Sequence, residues 1–142
     1  MTPRDVALAI AERLLFHPYL WGGDDPMAGF DCSGFVIEVL KSAGVLPRDG
    51  DWTAEGLRQR FLDAARTTLQ PGDLVFWPNA TKTTAIHVEM VWRVLGPTAF
   101  TIGSSGGGSK TNTLHDAIRQ NAYIKVRPVR AGWFYAVDPF GI

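Results

Sequence analysis

The sequence predicts an α+β domain, and three observations carry that expectation. Helical spacing of apolar residues fills the first half of the chain, strand-like alternation fills the second, and no repeat, heptad or long linker separates them. With 142 residues, 46% of them hydrophobic, residues 1–142 suit a single domain. A chain of that length buries roughly two thirds of its unfolded surface.

The elements follow in order. Thr2 before Pro3 supplies an N-cap and a residue suited to the first turn, and Val6, Ala9, Ile10, Arg13 and Leu14 continue at helical spacing to about Phe16. His17-Pro18 ends that helix, because proline pushes the residue before it out of the helical region. A Gly-, Asp- and Pro-rich loop leads to Asp31, which can cap a second helix whose stripe is Phe35, Val36, Val39, Leu40 and Ala43, with Gly44 as its stop. "TAEGLRQRFLDAA", opened by Thr53, reads as a third helix. Then "LQPGDLVFW", "AIHVEMVWRVL", "TAFTIGSS", "YIKVRPV" and "WFYAV" read as antiparallel strands. "TLHDAIRQ" reads as a polar segment, and "GSSGGGS", residues 103–109, as a mobile loop.

Composition narrows the partners. The 14 basic and 14 acidic side chains cancel, which argues against nucleic acid or an anionic membrane surface and in favour of neutral or zwitterionic ligands. One cysteine excludes an internal disulfide. The N-terminal stretch mixes charged and apolar residues and reads as neither a signal peptide nor a membrane span, so the expected route to an external substrate is delivery.

Few side chains can do nucleophilic or metal chemistry. Cys32 lies in the first turn of the helix that starts at Asp31, where unpaired amides and the macrodipole favour a thiolate and can meet an oxyanion. Free cysteine is also among the most buried residue types, so a structural thiol stays open on position alone. In "AIHVEMVW", Ile86, Val88, Met90 and Trp92 share one strand face and His87, Glu89 and Val91 the other, which makes His87 a plausible general base. His17 and His115 lack an acidic or thiol neighbour at ligand spacing, and no C-x-x-C or H-x-x-x-H pattern exists, so no metal and no other cofactor are expected. "GSSGGGSKT" misses the phosphate-loop pattern by one residue, Ser109.

Taken together, "PYLWGG", "FDCSGFV" opening a helix, "LQPGDLVFW" and "HVEMV" resemble, in order, the blocks of the NlpC-type cell-wall cysteine peptidases. The resemblance implies a reduced papain-like fold, with the cysteine at a helix N-terminus packed on an antiparallel sheet that carries the histidine. It implies Cys32 as nucleophile and His87 as its base. Tyr19, Asp31 and Ser33 would contact substrate, and Trp21, on the substrate side with them, would shape with Gly22-Gly23 the loop that brings Tyr19 in. The implied substrate is the peptidoglycan stem peptide, commonly cut between D-glutamate's γ-carboxyl and the diamino acid, by a phage lysis or tail-associated enzyme or a domain of a longer protein. Two alternatives remain open: a non-catalytic assembly or wall-binding domain of the same fold, and an amidase with another bond preference.

One position departs from the family pattern. Members usually carry a polar residue on the strand after the catalytic histidine to orient the imidazole, and here Gly103 stands there. The orienting group then comes from elsewhere, is water, or is absent. Glu89 is the first candidate and completes the catalytic set, with Ser104 or Ser105 next. Two residues along a strand span roughly 6.5 to 7 Å of backbone, which leaves substrate amines as an alternative partner for Glu89.

Overall fold

The computed structural model describes residues 1–25 and 29–141. Residues 26–28, part of the Gly-, Asp- and Pro-rich loop, lie outside the described residues. Helix α1 (Pro3–Arg13) starts as the sequence implies, with Thr2 and Asp5 forming a reciprocal capping box. It ends at Arg13 rather than near Phe16. The next residues leave the helix to pair with a strand: Phe16 has φ +72, its N–H donates to Ile124 at 2.9 Å, and Tyr19 N–H donates to Ala122 at 3.1 Å.

A two-residue hairpin, β1 (Asp24–Asp25) and β2 (Gly29–Phe30), leads into α2 (Cys32–Ser42), capped by Asp31. Helix α3 (Ala54–Arg60), capped by Thr53, runs on into a single 3-10 turn at Leu62–Ala64. The strands are β3 (Leu74–Pro78), β4 (Ala85–Leu95), β5 (Thr98–Ser105), β6 (Tyr123–Pro128) and β7 (Tyr135–Val137). They form one antiparallel sheet in the order β6-β5-β4-β3-β7. Between β5 and β6 lies α4 (Leu114–Gln120), where only a polar segment was expected. Its signal was present, since Thr113 and Asp116 form a second capping box, but a seven-residue helix with one buried side chain, Ala117, shows almost no apolar stripe.

Helix α2 covers one face of the sheet. Phe35, Val36, Val39 and Leu40 are fully buried in one cluster with Leu74, Phe76, Val88, Met90, Ile102 and Ile124. The other face is covered too: Val75, Trp77 and Val91 form a second cluster with Leu69, Val129 and Trp133. The expected alternation in β4 therefore holds, with two corrections. Ile86 is 63% exposed, because the β3–β4 register shifts at Trp77/Pro78 and leaves Ile86 as the extra, unpaired residue between Ala85 and His87. The face bearing His87 and Glu89 is interior, and Glu89 is only 1% exposed.

The first and last elements are tied together by charge. Arg4 donates to Asp138 at 2.7 Å, as does Arg66, while the buried Asp73 lies 3.5 Å from Arg4 and 3.8 Å from Arg66. Among the described residues no helix is long and apolar enough to cross a membrane.

Candidate active site

Asp31 builds the nucleophile's platform. Its Oδ1 accepts from Gly34 N–H at 2.7 Å, which caps α2 and fixes Cys32 in the first turn. Its Oδ2 accepts from Gly22 N–H at 3.1 Å, drawing the "WGG" loop onto the helix end. The approach requires glycine: a Cβ on Gly34 would lie 2.0 Å from the Gly23 carbonyl oxygen. Burial raises the Asp31 carboxyl above the ordinary carboxylate value, with the Gly34 and Gly22 bonds working against it. Ser33 Oγ reaches Asp31 Oδ1 only at 3.5 Å.

Tyr19, Trp21, Asp31, Cys32 and Ser33 line a cleft of about 600 Å³ together with Trp52, whose contribution the sequence did not disclose. Tyr19 is nearly buried, and its phenol is pushed well up by burial, then by the charges of Cys32 and Asp31. Trp21 is 55% exposed at the rim. The first part of the Gly-rich stretch, expected as loop, is strand. Gly103, Ser104 and Ser105 belong to β5, and beyond them a Cβ on Gly107 would sit 2.4 Å from the Tyr19 ring. Just beyond the stretch, the Thr111 carbonyl accepts from Trp21 N–H at 2.7 Å, so these residues brace the Tyr19–Trp21 segment that lines the cleft.

The base side is built from strands. His87 on β4 pairs across to Trp77 on β3, with ring centroids 5.4 Å apart. Where β4 begins, Ala85 N–H donates to Glu55 of α3 at 2.7 Å, anchoring the strand just before the histidine. His87 Nε2–H donates to Glu89 Oε2 at 2.6 Å, which leaves Nδ1 as the ring's other nitrogen, and Cys32 is the other group that acts on the imidazole. Burial works against the imidazolium, but the Cys32 and Glu89 bonds and charges outweigh it and raise His87 to about 9. Glu89 is the counterpart: burial is its largest influence and opposes ionisation, yet His87, Thr101 and Arg130 hold the carboxyl at about 2.

The reach that backbone spacing left in question is explained by Gly103. It is the cross-strand neighbour of Glu89, and a Cβ there would lie 2.4 Å from Glu89 Cγ. The missing side chain on β5 is the space in which the carboxylate turns back toward His87. Of the other candidates, Ser104 donates to the Phe30 carbonyl at 2.7 Å and Ser105 makes no side-chain hydrogen bond.

The profile of the NlpC/P60 family matches residues 16–132. The chain belongs to the NlpC/P60 family. Among curated relatives it is 40% identical over 81 residues to a gamma-DL-glutamyl hydrolase of Bacillus subtilis, covering 54% of this chain and 18% of that one. It is 42% identical over 88 residues to a murein DD-endopeptidase of Escherichia coli (58% and 31%). It is 39% identical over 71 residues to a gamma-D-glutamyl-L-lysine dipeptidyl-peptidase of Bacillus subtilis (49% and 22%). The chain thus spans less than a third of the length of each. Among solved structures, the NlpC/p60 domain of the peptidoglycan hydrolase SagA aligns over 94% of this chain and 97% of its own, with TM-score 0.62 and 29% identity. The P60 domain of a Mycobacterium avium paratuberculosis antigen aligns over 95% and 91%, with TM-score 0.64 and 21% identity, a likeness of fold. The NlpC/P60 arrangement is the reduced papain-like one that the motifs implied.

Proposed function

We propose that this NlpC/P60 chain is a single thiol-hydrolase domain for peptidoglycan stem peptides, with Cys32 as nucleophile and His87 as its base. The observation that carries this reading is the imidazole gripped on one side by a buried carboxylate, at 2.6 Å, with Cys32 as the other group that raises it. A structural thiol needs no such partner. His87 accepts the Cys32 proton and the sulfur attacks the amide carbonyl, whose developing oxyanion meets first-turn amides of α2. The imidazolium then protonates the leaving amine, and water, deprotonated by His87, releases the acyl group. Tyr19, Asp31 and Trp21 border the cleft in which the peptide would lie.

The relatives support a cell-wall peptide as substrate, since their names place them on glutamyl and murein peptide bonds. Those names differ in the bond concerned. The γ-D-glutamyl to diamino acid bond is the preferred assignment, because two of the three act at γ-glutamyl linkages. Delivery to the wall by a phage particle, or as part of a longer protein, fits the same reading.

The test is to incubate the protein and a Cys32→Ser variant with defined muropeptides and follow new amines by mass spectrometry. The expected result is cleavage at the γ-D-glutamyl bond by the wild type and at least a 1,000-fold loss in the variant. Intact muropeptides with both proteins between pH 5 and 9 would leave a non-catalytic wall-binding role. Release of L-alanine-terminated peptides from muramic acid would make the chain an amidase.

A further inference from the structure

Glu89 has more partners than an orienting carboxylate needs. Its Oε1 accepts from the Thr101 hydroxyl at 2.6 Å. Its Oε2, the oxygen that holds His87, also accepts from Arg130 Nη2 at 2.8 Å, and Arg127 Nη2 lies 3.6 Å away. The Arg130 guanidinium stacks on Trp77, 4.9 Å from the ring centroid, and that same ring neighbours His87. An aromatic face and a carboxylate therefore fix this arginine, and two cationic groups share one oxygen.

We infer that Arg130 is a positioning residue of the Cys32–His87 pair that acts through Glu89, holding the carboxylate above Gly103 and drawing off part of the charge that would otherwise go to His87. The inference rests on the thiol-hydrolase reading. Its chemical sense lies in the second half of the reaction. An imidazolium bound to an undivided carboxylate is a weak acid toward the leaving amine, and acid catalysis works best when the group's pKa lies near the working pH. A second cation on the same oxygen weakens that hold while keeping the imidazole's orientation.

Among the described residues, Cys32 of α2 and Glu89 of β4 act on the imidazole itself, while Arg127 of β6, Arg130 of the segment after β6 and, at longer range, Lys125 of β6 act on Glu89. Strands β3 and β5 contribute the uncharged Trp77 and Thr101. Removing Arg130 leaves Glu89 held by Thr101, so the carboxylate stays in place and a larger share of its charge falls on His87.

The test compares wild type, Arg130→Gln and Arg130→Lys by NMR titration of labelled histidines, with a His87→Ala variant assigning the signal, and by the pH profile of muropeptide cleavage. Arg130→Gln is expected to move the His87 midpoint and the alkaline limb of the profile upward by about 0.5 to 1 pH unit, as loss of a nearby, partly screened charge implies. It lowers kcat about 3- to 10-fold at neutral pH with little change in KM. Arg130→Lys moves the midpoint by less than half as much. Should Arg130→Gln fold poorly, Arg127→Gln carries the same test with a smaller shift of the same sign. Titration of Arg130→Gln with the wild-type midpoint, or an equal shift in Arg130→Lys, overturns the inference. If the wild type cleaves no peptide the functional reading fails, and the His87 titration still decides the role of Arg130.

Discussion

Two buried carboxylates in this molecule each attract two arginines, and they shift in opposite directions. Asp73 is fully buried beside Arg4 and Arg66, yet its carboxyl is raised above the ordinary value. Burial is the largest influence, one backbone bond from Gln70 opposes it, and both arginines stay 3.5 Å or more away because they donate instead to Asp138. Glu89, equally buried, is held at about 2 because His87, Thr101 and Arg130 all bond it directly, at 2.6, 2.6 and 2.8 Å. Direct hydrogen bonds, rather than the number of nearby cations, decide which way a buried carboxylate shifts. The cluster at Asp73 and Asp138 ties the chain ends together, whereas the one at Glu89 has a proton to manage.

The largest test of that contrast is Glu89→Gln. The variant keeps the shape but loses the charge, so catalysis of muropeptide cleavage should fall about 10- to 100-fold and the alkaline limb, expected near pH 9 in the wild type, should move down by roughly 1 unit or more. Stability carries the same signature. His87 is raised from 6.5 to about 9, so its contribution is complete below pH 6.5 and is lost as pH rises through 9. Glu89 is lowered from 4.5 to about 2, so its contribution is complete above pH 4.5 and is lost as pH falls toward 2. Thermal melts of the wild type should therefore be flat only between about pH 4.5 and 6.5, and those of Glu89→Gln should lose the alkaline slope.

A middle-sized effect is expected from Gly103→Ala. The glycine's φ is not positive, so the added methyl strains no backbone and acts only on Glu89. The expected cost is about 1 to 3 kcal/mol in urea unfolding, with kcat lowered more than KM is raised. An unchanged kcat would mean that Glu89 does not orient His87. The smallest effect is expected from Asp73→Asn. Because burial already disfavours the charge there, neutralising it should cost under about 1 kcal/mol at pH 7 and leave the pH profile unmoved. A cost above about 3 kcal/mol would erase the distinction between the clusters.

The sequence made the frame of the site legible and left its interior hidden. Caps at Thr2, Asp31 and Thr53, the strand alternation and the ordered motifs located α1, α2, α3 and all five strands of the main sheet, and they singled out Cys32 and His87. These signals are local, set by hydrogen bonds three or four residues apart or by side-chain period. Arg130 and Arg127 were not visible, because they reach Glu89 across 41 and 38 residues of chain through sheet pairing. Gly103 shows the limit most clearly. Read along the chain it is a missing side chain; read across the sheet it is the room Glu89 occupies. The packing of Gly107 against Tyr19 was hidden for the same reason, since a run of glycines looks mobile until its neighbour is known.

The staple between Arg4 and Asp138 has a further consequence. It places the first turn of α1 beside the residues that follow β7, so a short peptide could join one end to the other. The hairpin joining β4 to β5 turns at Gly96, with φ +61 and open space around it, and makes a suitable place to cut. A circular permutant opened there would keep every contact of the cleft while moving the thiol, in chain order, to the middle of the polypeptide, after Gly103 and Arg130. Connectivity is then a matter of wiring, and the chemistry belongs to the sheet and the helix end that meet over it.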